Sequence, residues 1–527
     1  MQALATHVAM GFGVALTPVN LLYCLIGVFA GTFVGVLPGF GPTTALALLL
    51  PLTFKLQAIP SFVMLAGIYY GAHHSGKTTA IMLNMPGEPS SVVICLDGYP
   101  LARKGRTGPA LCIAAISAFS AGCISIVIIA AFAPVLASAA LSIQAPGYCA
   151  VVLLALVTTS ALSHGSFPKT MAMAALGMLL ATVGTDVISG ARRFTFGLDE
   201  LADGIDLVPL AIGFFAFAEI ISRARQDEVP QPVGGIRGLI PAATELAAAW
   251  KPILRGTGVG AALGMLPGTG PLISSFAEYS IERRLAADPS RFGKGAIEGI
   301  AGPEAADNAA ALTHFVPMLT LGIPAGAPMA LMLGALMIQG ITPGPLVMVQ
   351  HPDLFWGSIA SMWIGNAVLL ILNLPLVGIW VRFLSIPYRI LYPGIVVICC
   401  IGAYSVRNSI FDVEAAAVFG ISGYLLYLLE CPPAPLLLGF ILGPIFEDNL
   451  RRALLISRGN LSVFVTRPVS AVVLGMVALV VLGHVYVAIR GYHRSFSPAD
   501  PGADRLSGSQ SGPGHKKAFY EGKSRAD

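Results

Sequence analysis

Gly35-Val36-Leu37-Pro38-Gly39-Phe40-Gly41-Pro42 returns as Gly264-Met265-Leu266-Pro267-Gly268-Thr269-Gly270-Pro271, a shift of 229 residues, and both copies lie inside long apolar stretches. Proline removes a backbone donor and glycine admits backbone angles that other residues avoid, so a helix must break at each copy. In hydrocarbon a broken helix leaves peptide groups unpaired, at several kcal/mol each, unless protein or a polar cavity satisfies them. Two broken elements at corresponding places in two halves of a chain point to a transport site. The simpler alternative is a pair of proline-kinked helices with packing glycines.

The repetition extends outward from these motifs. Leu83-Asn84-Met85-Pro86-Gly87-Glu88-Pro89 has a looser echo in Leu321-Gly322-Ile323-Pro324-Ala325-Gly326-Ala327-Pro328, and Ile212-Gly213-Phe214 with Glu219 is mirrored by Leu438-Gly439-Phe440 with Glu447. Loop charges reverse between the halves. The loop after the first motif holds only Lys55, its counterpart holds Arg283, Arg284, Arg291 and Lys294, while Arg103, Lys104 and Arg106 face a Lys- and Arg-free stretch at 325–350. Because Lys and Arg collect on the cytoplasmic side, corresponding loops are expected on opposite faces, as in inverted repeats. Arg192 and Arg193 fit this pattern poorly. The expected fold is an all-α integral membrane protein with about ten to thirteen transmembrane passes or half-passes, since a pass needs about 20 apolar residues. It divides into a first repeat at 15–225, a connecting loop at 226–251, a second repeat at 252–490 and a disordered tail at 491–527, with a polar loop from Glu278 to Asn308.

Composition agrees: 55% of residues are hydrophobic and 11% charged, and mean hydropathy is +0.78, against about 25% charged in a soluble domain. A formal net charge of +4 spread over short loops offers no basic face for nucleic acid. The cysteines sit mostly in apolar runs without C-x-x-C spacing, so they read as packing residues rather than metal ligands. The first Lys or Arg is Lys55, which leaves no charged region of the kind that opens a secretory signal. No soluble stretch is long enough for a catalytic domain, and no enzyme activity or cofactor is expected.

Gly71-Ala72-His73-His74-Ser75-Gly76-Lys77-Thr78 matches the nucleotide-binding pattern G-x-x-x-x-G-K-[ST]. That loop requires a preceding strand and a parallel sheet, and an uninterrupted membrane-length apolar run surrounds this one. The segment reads instead as transport chemistry, with Ser75, Gly76, Thr78 and Thr79 offering hydroxyl and backbone groups beside the first break, and His73, His74 and Lys77 as intramembrane ionisable groups. The alternative is that all three snorkel at the headgroups. In the second half, Asn308 and Thr320 with the carbonyls of Gly268–Gly270 form a candidate site for a small cation, to which Gly39 is the first-half contribution. Helix ends and Lys77 favour an anionic solute. The candidate solute-binding set is Pro38, Gly39, Gly41, Ser75, Gly76, Lys77, Thr78, Thr79, Asn84, Pro267, Gly268, Gly270, Asn308 and Thr320. Glu304 and Asp307 read equally as loop acids capping a helix, and Glu88, Asp97, Glu219, Asp448, Arg451 and Arg452 as interfacial.

At these residues the chain resembles the large permease subunit of the tripartite tricarboxylate transporter family. The resemblance covers about residues 15–490. It rests on Gly35–Pro42, Gly67-Ile68-Tyr69-Tyr70-Gly71, Asn84–Pro89, Gly264–Pro271, Glu304-Ala305-Ala306-Asp307-Asn308-Ala309-Ala310, Leu319-Thr320-Leu321-Gly322-Ile323-Pro324, and Leu438–Gly443 with Glu447, Asn449, Leu450, Arg451 and Arg452. It implies a multi-pass protein of the bacterial inner membrane that works with a small membrane subunit and a periplasmic solute-binding protein, importing carboxylates such as citrate by symport with sodium or protons. Lys77 departs from the small polar residue the family pattern leads one to expect after Ser75-Gly76, which leaves the ion and the solute open. Two other classes stay in view: an intramembrane enzyme acting on a lipid-linked substrate, and a channel.

Overall fold

The computed structural model describes residues 2–495 apart from Pro38, His164, Val187, 224–237, Pro267 and 384–387. The chain is an all-α membrane protein. Six helices are long and apolar enough to cross a bilayer: Pro18–Val36, Thr107–Ala140, Ala145–Leu162, Pro352–Asn373, Ile410–Leu428 and Pro468–Tyr486. At 1.5 Å per residue the shortest of them, about 18 residues, spans roughly 27 Å, close to the thickness of the hydrocarbon core. Shorter apolar helices, among them Phe167–Leu180 and Ala327–Ile338, accompany them. Among the described residues the strands are two two-residue pieces, Gly184–Thr185 paired antiparallel with Arg192–Arg193. Met1–Val480 form one unit and Val481–Asp527 a second, whose described residues are helical. Most of the expected C-terminal tail lies outside the described residues, and the expected connecting loop is shorter than read, because a helix already starts at Ala243.

Two helix pairs are joined by close backbone contacts. Gly27, Gly31 and Gly35 of Pro18–Val36 lie against the backbone at Met64, Ile68 and Ala72 of Ala58–Leu83. Gly256, Gly260 and Gly264 of Ala243–Gly264 lie in the same way against Gly302, Ala306 and Ala310 of Glu298–Thr313. Small residues four apart let two backbones touch, and dispersion along the seam holds them where no hydrophobic effect can. Both seams run with the two helices parallel, and the second set of glycines is the first shifted by 229 residues.

The ends of these helices match as well. Gly39 and Gly268 take φ of +84° and +83° at the two breaks, and new helices start at Pro42 and at Gly270-Pro271. Asn84 closes Ala58–Leu83, and Gly322 closes Phe315–Leu321, the short helix that follows Glu298–Thr313, both in the left-handed region, at φ 56° and 71°. Just beyond, Met85 N–H donates to Thr79 O at 3.4 Å and Ile323 N–H to Pro317 O at 3.3 Å. The loops meet crosswise: Lys104 Nζ donates to Lys294 O at 2.7 Å, joining the two basic loops, and Gln339 Nε2 donates to Leu56 O at 3.2 Å, joining the two that lack arginine. Arg192 and Arg193 are neutralised locally, by Asp199 at 2.8 Å and Glu447 at 2.8 Å.

The stretch from Glu278 to Asn308, expected as a polar loop, is largely helical: Gly270–Leu285 carries Glu278 and Glu282 inward, and Glu298–Thr313 carries Glu304 and Asp307. Its composition misled because its acids Glu278, Glu282, Glu304 and Asp307 face protein, while Arg283, Arg284, Arg291 and Lys294 stay exposed.

Candidate functional site

Helices Ala58–Leu83 and Glu298–Thr313 cross antiparallel. Tyr69 Oη donates to Ala311 O at 3.3 Å, His73 Nε2 lies 3.1 Å from Asp307 Oδ2, and Lys77 Nζ lies 2.8 Å from Asp307 Oδ2 and 2.7 Å from Glu304 Oε1. Each step of one turn along the first helix is a step back along the second. The loop after Leu83 folds over this crossing, because Gly87 N–H reaches Gly76 O at 3.4 Å and the two glycines leave no side chain between them. That fold-back brings Glu88 Oε2 to 2.9 Å from His73 Nδ1. Asn308 donates to Glu304 Oε1 at 2.7 Å, and Tyr69 stacks on His73 with ring centroids 5.7 Å apart. His74 and His314 are buried too.

Every charged member of this network is removed from water, with side-chain exposures of 0–9% for His73, Lys77, Glu88, Glu304 and Asp307. Burying single charges costs several kcal/mol apiece, so the arrangement stands only because each charge meets an opposite one. Both ring nitrogens of His73 lie within ion-pair distance of carboxylate oxygens, Nδ1 hydrogen-bonded to Glu88 and Nε2 at 3.1 Å from Asp307 without hydrogen-bond alignment. With His73 protonated, His73 and Lys77 set two cations against the three carboxyls of Glu88, Glu304 and Asp307. A cavity of about 20 Å³ bordered by Tyr69, His73, Asn308 and Asn366 reaches the network, and about 10–15 Å³ suffices for one water.

His73, Glu88 and Asp307 each place one ligand atom within 4.8 Å of the others, a set whose residue types suit a metal. The geometry argues against one. Lys77 Nζ already occupies the charge-compensating position beside Asp307, where a metal would bring its charge.

A larger cavity, about 380 Å³, lies between Leu321-Gly322-Ile323, the 342–350 loop and helix Pro433–Ile456, which contributes Asn449 and Arg452. Among the described residues Arg452 has no carboxylate partner, whereas its neighbour Arg451 is held by Asp186 at 3.1 Å and Glu447 at 2.7 Å.

The family profile described as "Tripartite tricarboxylate transporter TctA family" matches residues 21–438. The chain belongs to the TctA family. It is a transporter component and not an enzyme. An uncharacterized 52.8 kDa protein from the TAR-I ttuC' 3' region of Agrobacterium vitis is 53% identical over 478 residues, covering 90% of this chain and 95% of that protein. A second Agrobacterium vitis protein, from the TAR-II ttuC' 3' region, is 58% identical over 231 residues, 44% of this chain and 96% of its own length. No solved structure matches.

Within this TctA-family chain the residues singled out from sequence fall into three groups. Lys77 and Asn308 meet through Glu304, and the Gly71–Thr78 segment lies within the single helix Ala58–Leu83, with no strand or sheet to make a nucleotide loop. The hydroxyls of Ser75, Thr79 and Thr320 bond back to their own helices, at Gly71 O, Gly76 O and Val316 O. Thr78 is buried on the same helix, Gly76 packs on Gly87, and Asn84 is a helix end. At the breaks, Gly41 borders Gly87 and Glu88, Gly39 is covered by the Arg223 guanidinium, Gly268 N–H donates to Ala325 O at 3.2 Å, and Gly270 stands open. Pro38 and Pro267 lie outside the described residues.

Glu304 and Asp307 are not helix caps but sit mid-helix, fully buried, because Lys77 and His73 neutralise them. Glu88 is not interfacial either. Asp97, also expected at the interface, is buried and accepts from Gly295 N–H at 2.7 Å, Ala296 N–H at 2.8 Å and Tyr279 Oη at 2.9 Å. The sequence signal for the acids was present: Glu304 and Asp307, three apart, share one helix face with an otherwise apolar run after them.

Proposed function

We propose that this chain is the large permease subunit of a tripartite secondary transporter of the bacterial inner membrane, importing tricarboxylates or related carboxylates by proton symport. The solute comes from a periplasmic binding protein, and a small membrane subunit completes the complex. The reading takes 15–225 and 252–490 as inverted repeats, whose two breaks and adjoining loops, Gly39–Gly41 with Gly87-Glu88 and Gly268–Gly270 with Ala325, form paired half-sites. The basic loops at 103–106 and 283–294 face the cytoplasm. The 380 Å³ cavity with Arg452, Asn449 and Gly322 then opens on the periplasmic side and receives the anion, within the roughly 300–1,000 Å³ usual for small-molecule sites.

One observation carries the choice of ion: Lys77 Nζ stands between Glu304 and Asp307 at 2.7 and 2.8 Å. A built-in ammonium supplies there the positive charge that a sodium ion would bring, and the remaining unbalanced carboxyl is the place for an exchangeable proton. Movement of one part of the protein relative to the rest alternates access, with proton and solute together favouring the loaded state.

Accumulation of radiolabelled di- and tricarboxylates in vesicles bearing the full three-part complex tests this reading. Uptake driven by an imposed proton gradient, dependent on the binding protein and indifferent to sodium, is the expected result. Sodium-driven uptake overturns the ion, and passive equilibration without a gradient points to a channel.

A further inference from the structure

A second set of buried acids lies away from the Lys77 network. Glu278 on helix Gly270–Leu285 is fully buried, and neither of its oxygens meets a donor among the described residues. The polar group within its hydrogen-bonding reach is the carboxyl of Glu282, one turn further on. Glu282 is buried as well and is clamped in bidentate fashion by Arg255, Nε to Oε1 at 2.7 Å and Nη2 to Oε2 at 2.7 Å. Two carboxyl oxygens facing each other are both acceptors unless one carries a proton. With a single guanidinium between two enclosed acids, ionising both leaves a net buried negative charge, which costs several kcal/mol.

Among the described residues the surroundings supply no other unpaired charge. Glu298–Thr313 presents Gly302, whose missing side chain makes room for the two glutamates: a Cβ there would lie 3.2 Å from Glu278 Cγ and 3.0 Å from Glu282 Cγ. Ala243–Gly264 presents Arg255 alone. From Val92–Arg103 comes Asp97, taken up by Tyr279 and two backbone N–H groups. The Pro289–Arg291 turn contributes Arg291, which faces Glu298 at 3.3 Å, and the Pro89–Ser91 turn contributes only serines. The frame does not demand these acids either. At the 229-residue shift, Glu278, Glu282 and Arg255 correspond to Leu49, Thr53 and Ile26, so the first half builds the same hairpin without charge.

We propose that Glu278 and Glu282, clamped by Arg255, share one proton and form a second proton-carrying site, separate from the Lys77 network and placed on the cytoplasmic side of the second broken hairpin. Packed against Gly302, Glu278 keeps its proton. When the Gly270–Leu285 helix shifts and water enters, the O–H bond breaks, the proton passes to water and the hydrated carboxylate is stable. Arg283 and Arg284 at the end of the same helix mark the mouth through which it leaves. This rests on the reading of the chain as a proton-coupled carrier.

The test uses the complete complex in proteoliposomes, comparing wild type with Glu278→Gln and Glu278→Asp. Solute counterflow, which needs no net proton movement, is expected to persist in E278Q, while proton uptake per solute falls; E278D restores the proton with a displaced pH profile. An unchanged proton-to-solute ratio in a counterflow-competent E278Q overturns the proposal. Should E278Q not fold, carbodiimide labelling of the wild type, read by mass spectrometry, decides: an adduct at Glu278 that declines in alkaline buffer supports a protonated carboxyl, and a pH-independent or absent adduct overturns it. Loss of counterflow in the wild type defeats the carboxylate-carrier reading instead, and the labelling still judges Glu278 by itself.

Discussion

Ser75 in the first half and Thr313 in the second do the same job. Ser75 Oγ bonds back to Gly71 O at 2.8 Å and Ala72 O at 3.2 Å and fills the space left by Gly35. Thr313 Oγ1 bonds back to Ala309 O at 2.8 Å and Ala310 O at 3.3 Å and fills the space left by Gly264. Two residues further the likeness ends. Lys77 corresponds to Phe315, at the same 238-residue shift that relates Asn84 to Gly322, and Phe315 packs among Phe62, Tyr69 and Tyr70. One helix carries the cations and its counterpart the acids, so a frame built twice from backbone contacts is charged differently on its two sides. Backbone packing fixes where the helices cross; the charges are additions the frame does not need.

The sharpest way to break this comparison is to remove the charge and leave the frame. Lys77→Met leaves Glu304 and Asp307 buried without a partner and is expected to destabilise the protein by about 3–5 kcal/mol, read as a lower unfolding midpoint in detergent, and to abolish uptake. Adding Glu304→Gln to it recovers part of the stability without the transport, a coupling that a double-mutant cycle reads directly. Phe315→Leu, at the corresponding place in the other half, costs only about 1 kcal/mol because volume is nearly kept. Equal losses from Lys77→Met and Phe315→Leu would mean the network is ordinary packing.

The two breaks were legible because glycine and proline act locally: Gly39, Gly268 and the helix starts at Pro42 and Gly270 stand where the motif puts them. The glycine seams were also legible in principle, since Gly27-x3-Gly31-x3-Gly35 repeats at the same shift as the breaks. What sequence could not give is partnership across distance. Glu88 joins His73 only because Gly87 folds onto Gly76, and Glu304 and Asp307 look like surface acids until the helix that neutralises them, more than 200 residues earlier, is laid across them. The spacing of Glu304 and Asp307 marks one helix face, but nothing local names the helix that neutralises it.

The seams offer the next test. Gly31→Val and Gly260→Val each force a side chain into a facing backbone carbonyl, that of Ile68 or of Ala306, and each is expected to cost about 3 kcal/mol or more by overpacking. Comparable drops in the unfolding midpoint mean equivalent frames; tolerance of either one breaks the equivalence. At the helix ends the halves differ more gently. Gly322→Ala is expected to cost about 1–2 kcal/mol, the left-handed penalty for a side chain, with added crowding from Pro343 O at 2.6 Å. Asn84→Gly, which relieves that penalty, is expected to be neutral or slightly stabilising.

The smallest expected effect separates the two Glu–Arg pairs one turn apart, Glu219 with Arg223 and Glu447 with Arg451. Arg223 covers Gly39, whereas Arg451 reaches out to Asp186 in the Gly184–Arg193 hairpin. Asp186 accepts from Ser189 Oγ, from Ile188 N–H and from Arg451, and these bonds, Ser189's first, hold its carboxyl down at about 2 against an ordinary 3.8. A carboxyl lowered on folding contributes stability that is complete above its unfolded value and is lost as pH falls through its folded one. The hairpin's tie to helix Pro433–Ile456 should therefore hold at pH values above about 4 and weaken toward about 2. Asp186→Asn should flatten this limb of the profile and leave transport at neutral pH nearly unchanged. The unfolding midpoint measured against pH for wild type and D186N decides it: parallel curves through the acid limb would mean that Asp186 adds nothing to the hold that Glu447 has on Arg451.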